Sequence, residues 1–215
     1  MMTIEGIESI SLLSVWMLEP RLPELLLELR KRGYATARVR PKSLGGYSIT
    51  FIEPNVAAIK GSTYILYNPS RRTITIEGPN AAELILILNE VEEVLKNIGN
   101  DPARGVLFYE LQAKAKASGD KWVLGKTIRI DGQLKLNLLA VPISFVSADG
   151  DPNSTQWFHL DVRPMWTSWS SEKVHYEVVL IYRDSREELM NMLKDIDNVL
   201  KSILKRICEA LEFST

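Results

Sequence analysis

Two helix-start signatures constrain this chain more than any other feature. Asn80 with Glu83, and Ser185 with Glu188, each place a capping side chain three residues ahead of a carboxylate at the start of a long amphipathic run. They lie about 105 residues apart, and each follows a run patterned as a strand. Thr73-Ile74-Thr75-Ile76-Glu77 precedes Asn80, and Val178-Val179-Leu180-Ile181-Tyr182 precedes Ser185. A last strand, a capped turn and a long helix, met twice, predict an α+β fold of two similar halves. Each half is expected to be a curved antiparallel sheet covered by a long C-terminal helix. Those helices are expected over Ala81 to Ile98, stopped by Gly99, and from Ser185 to about Leu211.

Ahead of the first helix, Ser9 to Met17 is rich in Ile, Leu and Val and suits a buried strand. Pro20 and Pro23 then open a helix with Leu22, Leu25, Leu26 and Leu29 on one face, ended at Gly33. Short strands are expected near Tyr34 to Arg40, Tyr47 to Glu53, Thr63 to Tyr67 and Arg72 to Glu77. Gly45-Gly46, Glu53-Pro54-Asn55 and Asn68-Pro69-Ser70 separate them as turns, which predicts an antiparallel meander. The second half repeats the order with longer strands: Gly105 to Ala117, Thr127 to Val146, Gln156 to Arg163 and Val174 to Tyr182. The expected domains are therefore 1–99 and 104–215, joined through Gly99-Asn100-Asp101-Pro102.

Composition narrows the function classes. With 46% hydrophobic and 25% charged residues among 215, the chain can bury a core, which excludes wholesale disorder. Lys and Arg number 26 against 27 Asp and Glu, and residues 1–100 hold 11 of each sign, so neither half is a basic domain. One cysteine, Cys208, cannot make an intramolecular disulfide, and no spacing of ligands predicts a metal. Met1 to Leu18 carries Glu5 and Glu8 where a signal peptide would be basic, and no apolar run approaches the roughly 20 residues of a membrane span. A cytoplasmic protein without a membrane partner is expected.

The order strand, helix, strands, helix in the first half is similar to one repeat of the TATA-binding-protein fold. Tyr47 to Ile59, with Pro54 in its turn, looks like that family's third strand and the entry to its fourth, and Thr75-Ile76-Glu77-Gly78 looks like its last strand. The family's DNA-kinking phenylalanines would fall near Leu44 and Lys60, and neither is Phe. The resemblance therefore implies the fold rather than TATA binding. In outline, a long C-terminal helix on a curved sheet also resembles the helix-grip architecture of hydrophobe-binding proteins.

Motifs for catalysis fail on inspection. Gly119 and Gly125-Lys126-Thr127 are spaced wrongly for a phosphate loop and lead into the strand pattern Ile128-Arg129-Ile130. Asp149-Gly150-Asp151-Pro152-Asn153 lacks the glycine and the closing acid of a calcium loop, so it is read as a hairpin turn. No catalytic residue, cofactor or metal is predicted.

Contact residues are easier to nominate. Along one strand Trp157, His159, Asp161 and Arg163 share a face, and a hairpin about the loop from Pro164 to Lys173 would set Arg163 beside His175 and Asp161 beside Glu177. Two carboxylates beside a histidine would serve acid/base work or a cation, and on a solvated face they would be ordinary ion pairs. Trp166 and Trp169 in the connecting loop are candidate partner contacts. Arg38, Arg40 and Lys42 alternate along a strand with Tyr34 and Thr36 and form a candidate nucleic-acid stripe. The reading that follows is a non-catalytic binding protein using an exposed sheet face and a tryptophan-bearing loop. The alternatives are a binding site or enzyme for a small hydrophobic ligand in the second half, or nucleic-acid binding at the stripe. The partner is an unidentified protein or nucleic acid, with homodimerisation through the sheet face or the C-terminal helix also possible.

Overall fold

A computed structural model describes residues 2–120, 126–130, 136–140, 143–147, 151, 153–165 and 173–212. The chain is an α+β protein with a large antiparallel sheet of nine strands and, among the described residues, five helices. It divides into two compact units. The meander unit holds Ser9–Gln112 and Arg183–Lys194, and the hairpin unit holds Met1–Glu8, Ala113–Tyr182 and Asp195–Thr215. Three long strands, β1 (Thr3–Trp16), β8 (Val106–Asp120) and β13 (Lys173–Asp184), each have residues in both units. This grouping differs from a cut at Gly99 to Pro102, where a four-residue helix α3 (Pro102–Gly105) leads directly into β8.

In the meander unit, α1 (Leu22–Lys31) buries the expected Leu22, Leu25, Leu26 and Leu29. Strands β5 (Val56–Lys60), β6 (Thr63–Asn68) and β7 (Thr73–Gly78) pair antiparallel in sequence, and β7 pairs with β1. Alternation does not mark β5, because Val56-Ala57-Ala58-Ile59 does not alternate, and only the resemblance set the entry to a fourth strand there; its first three residues are all buried. On β1, β6 and β7 alternate side chains face inward, including Ile10, Leu12, Ile65, Tyr67, Ile74 and Ile76, all buried.

Helix α2 (Ala81–Asn97) covers that face, packing on β7 and α1 with Leu84, Ile87, Leu88, Val91, Val94 and Leu95 buried. The Asn80 side chain accepts from the Glu83 N–H at 3.1 Å, as the capping signature requires. Gly99 then ends the helix at φ +89°, a conformation open to a residue without Cβ.

The hairpin unit uses the same alternation. β12 (Trp157–Pro164) buries Leu160, Val162 and Pro164, β13 buries Val174, Tyr176, Val178 and Leu180, and β8 buries Ala113, Ala115 and Ala117. The long helix expected from Ser185 to Leu211 is two helices. α4 (Arg186–Lys194) and α5 (Ile196–Glu212) break at Asp195, whose carboxylate accepts from Asn198 Nδ2 at 2.6 Å. The apolar rhythm Leu189, Leu193, Ile196, Leu200, Leu204 passes through the break undisturbed, and all five are buried. Core packing thus accounts for this helical row. No helix among the described residues is long and apolar enough to cross a membrane.

Three tyrosines tie the meander unit together through phenol donors. Tyr34 donates to Glu90, Tyr67 to Glu19 at 3.1 Å and Tyr109 to Glu92 at 2.7 Å. Burial first, and the neighbouring carboxylates next, push all three phenols well above the ordinary range. A raised folded pKa contributes stability that is present below the unfolded value near 10 and lost as pH rises past it. Chemical denaturation from pH 8 to 11 should therefore show stability falling above about pH 10. Replacing the three by Phe should flatten that fall, and an unchanged slope would show that other groups control it.

Candidate functional site

The predicted face of β12 exists. β11 (Ile143–Val146) pairs antiparallel with β12, setting Ser144 opposite Asp161 and Val146 opposite His159. His159, Asp161 and Arg163 converge on one carboxylate. Asp161 Oδ1 accepts from His159 Nε2 at 2.8 Å and from Ser144 Oγ, while Oδ2 accepts from an Arg163 guanidinium nitrogen. The Trp157 ring lies 5.3 Å from the His159 ring at a tilt of 48°. Asp161 is only 6% exposed. Burial acts to raise its pKa, but the hydrogen bonds from Ser144 and Arg163 and the positive charge of a protonated His159 outweigh it, holding the carboxyl below its ordinary value.

The partner strand sits differently from the expected hairpin. The Met165 N–H donates to the His175 carbonyl at 2.7 Å, so His175 stands level with Met165, two residues beyond Arg163. Its Nδ1 lies 3.3 Å from Glu5 Oε1 on β1, and Glu177 pairs with Lys114 of β8 at 3.1 Å. The expected pairing of Asp161 with Glu177 and of Arg163 with His175 is thus replaced by separate ion pairs. Hairpin register follows the turn, and a slip of two residues keeps every side chain on its face while changing its neighbour. Lys116 and Glu8, 2.5 Å apart, add a further pair to the same unit.

Ser144, His159 and Asp161 are the residue types of a nucleophilic triad, but the order is wrong. The carboxylate sits in the middle and accepts from both others, so the imidazole is not placed to take the serine proton. Among the described residues no group of three or more His, Cys, Asp or Glu is arranged to hold a metal ion. Trp166 and Trp169 lie outside the described residues.

Arg38, Arg40 and Lys42 belong to a different element. β2 (Ala35–Thr36) pairs with β5, whereas β3 (Arg38–Pro41) and β4 (Tyr47–Thr50) form a separate two-stranded ribbon. The break falls at Ala37, whose N–H is taken by the Ala57 carbonyl at 2.8 Å. Tyr34 therefore leaves the expected stripe: it is buried and hydrogen-bonded to Glu90. Thr36 accepts from Arg30 Nε at 3.0 Å, and Arg32 makes a two-point contact with Glu93 at 3.1 and 2.9 Å. Arg38, Arg40 and Lys42 themselves are exposed.

A surface missed in the sequence lies on the outward face of the meander unit. Leu13, Thr75 and Leu66 form one row across β1, β7 and β6, because Leu13 pairs with Thr75 and Thr75 with Leu66. An open cleft there is lined by these three with Asn68, Arg71 and Gln112. Tyr64, 42% exposed, stands opposite Glu77 in the next row. The sequence signal was leucine at outward positions of strands that also carry Ser11, Asn68 and Glu77 there. No protein-family model matches the chain, and no curated protein matches it in sequence.

The Asp161 cluster makes a pH-dependent contribution to folding. Because its folded pKa is lowered, the stabilisation is present above the unfolded value near 3.9 and disappears as pH falls through the folded one. Asp161→Asn should cost about 1.5–3 kcal/mol at pH 7, the range for hydrogen bonds to a charged group, here a buried carboxylate, and much less near pH 2. Urea denaturation at the two pH values measures the difference. An equal loss at both would show that shape rather than charge holds the cluster.

Proposed function

We propose that the protein is a non-catalytic binding protein whose contact surface is the sheet face turned away from its helices. One observation carries the reading: the Leu13, Thr75, Leu66 row sits half-exposed inside a polar rim of Ser11, Asn68, Arg71 and Gln112. An antiparallel sheet whose outer face is merely solvated alternates cleanly to polar residues. An apolar centre within a polar rim is instead the composition of a non-obligate protein interface. The carboxylates support the non-catalytic part. Glu110 is held by Arg183 at 2.6 Å and by Gln112, Glu177 by Lys114, and Asp161 by three donors, so these acids are engaged in structure.

The same reading takes the two-halves arrangement as resembling the TATA-binding-protein fold. The order strand, helix, strands, helix over residues 3–97, then strands and paired helices over 106–212, supports it. It also takes the protein to work in the cytoplasm, where the single, buried Cys208 needs no disulfide partner.

A photo-crosslinking side chain at Tyr64, on the outward face, tests the surface against one at Leu86, exposed on α2. In extract from the native cells the Tyr64 position should give a discrete adduct that excess unlabelled protein removes and excess Leu66→Lys protein does not. The Leu86 position should give none. Equal adducts at both positions, or competition by Leu66→Lys as strong as by the unaltered protein, would remove the sheet face as the contact surface.

A further inference from the structure

We propose that the β3–β4 ribbon is an arm that binds duplex nucleic acid, with Arg38, Arg40 and Lys42 on its phosphates. From residue 38 to 52 the chain carries these three cations and no acidic residue. The ribbon does nothing to neutralise them. Arg38 is opposite Thr50 and Arg40 opposite Ser48, so each guanidinium faces a hydroxyl where an acid would form a cross-strand ion pair. None of the three side chains has a hydrogen-bond or ion-pair partner among the described residues, and all three are exposed.

The cations around the ribbon are used differently. Arg30 is bonded to Thr36 and the Ala37 carbonyl, Lys31 to Glu28, Arg32 to Glu93 and Lys60 to Glu90. Within one stretch of the meander unit, cations that touch the fold are paired, and those on the ribbon are left together and unpaired. Like charges on alternate residues of a strand, about 7 Å apart, repel unless an external anion lies along them. A duplex strand presents a phosphate every 3.4 Å or so of its axis, so alternate side chains match every second phosphate.

The ribbon's shape suits the same occupant. Its strands are joined by a tight turn in which the Lys42 N–H donates to the Gly46 carbonyl and the Gly45 N–H to the Lys42 carbonyl, each at 3.1 Å, with Gly45 and Gly46 at φ +88° and +77°. A two-stranded ribbon is narrow enough for the roughly 12 Å major groove. This site is separate from the Leu13, Thr75, Leu66 face, and the triple variant below leaves that face intact.

Fluorescence anisotropy with a random-sequence 30-base-pair DNA duplex between 20 and 200 mM salt tests the arm. Three phosphate contacts predict a log–log slope of about −2.7, an affinity loss of roughly 500-fold across that range. Arg38→Ala/Arg40→Ala/Lys42→Ala should abolish the binding while its melting temperature stays at the wild-type value. Absence of binding at 20 mM salt, an unchanged slope in the triple variant, or tighter binding to the single strand of the same sequence would each overturn the proposal.

Discussion

The meander unit depends on α2 lying against one face of its sheet. Six residues of this helix, from Leu84 to Leu95, are buried, and each contributes about 1.5–3 kcal/mol of transfer free energy. No other element there buries as long a stripe. An antiparallel sheet can leave one face to water, so a helix on one side is enough to fold it, and the other side stays available for contact. The row from Leu13 to Leu66 can exist as a surface only because the core is complete without it.

Polar groups on α2 then decide where its neighbours lie. Glu90 reaches Tyr34 and Lys60, Glu92 reaches Tyr109 and Arg186, and Glu93 reaches Arg32. Asn89 also takes a second nitrogen of Arg186, on α4. Lys60 further stands 4.6 Å over the Tyr34 ring. Partly exposed ion pairs of this kind are worth about 0–1 kcal/mol each, so they add little to what burial supplies. Their effect is geometric. They fix the azimuth of α2 and tie it to strands β5 and β8, to the residues flanking α1 and to α4. Burial provides the free energy, and the glutamates select among the orientations that burial would allow.

This division explains what the sequence revealed. Capping at Asn80, the stop at Gly99, the leucine stripe of α1 and the alternation of β12 and β13 are local or follow a fixed period, and all were readable. Neighbour identity was not. His175 lies two residues further along than expected, because register depends on the turn while period-2 alternation is blind to a slip of two. The break at Asp195 was hidden because its apolar rhythm continues through it. Tyr34 was assigned to the basic stripe because the strand pattern runs past Ala37, where the chain in fact leaves one sheet for another. Each error concerns a place where tertiary pairing, rather than local preference, chose the outcome.

Charge gives the least direct lesson. An even balance, 11 cations and 11 anions in residues 1–100, argued against any strong polyanion contact. Balance in number says nothing about pairing, however. Arg30, Lys31, Arg32 and Lys60 are committed to hydrogen bonds or ion pairs inside the fold, and in the screened surface field they add little beyond their own partners. What a large anion would meet is the residue left over once these commitments are made. In the stretch from Arg38 to Ile52 that remainder is three positive charges on one narrow ribbon with no anion among them. A nearly neutral chain thus carries a locally cationic element, because the fold has consumed the opposing charges elsewhere.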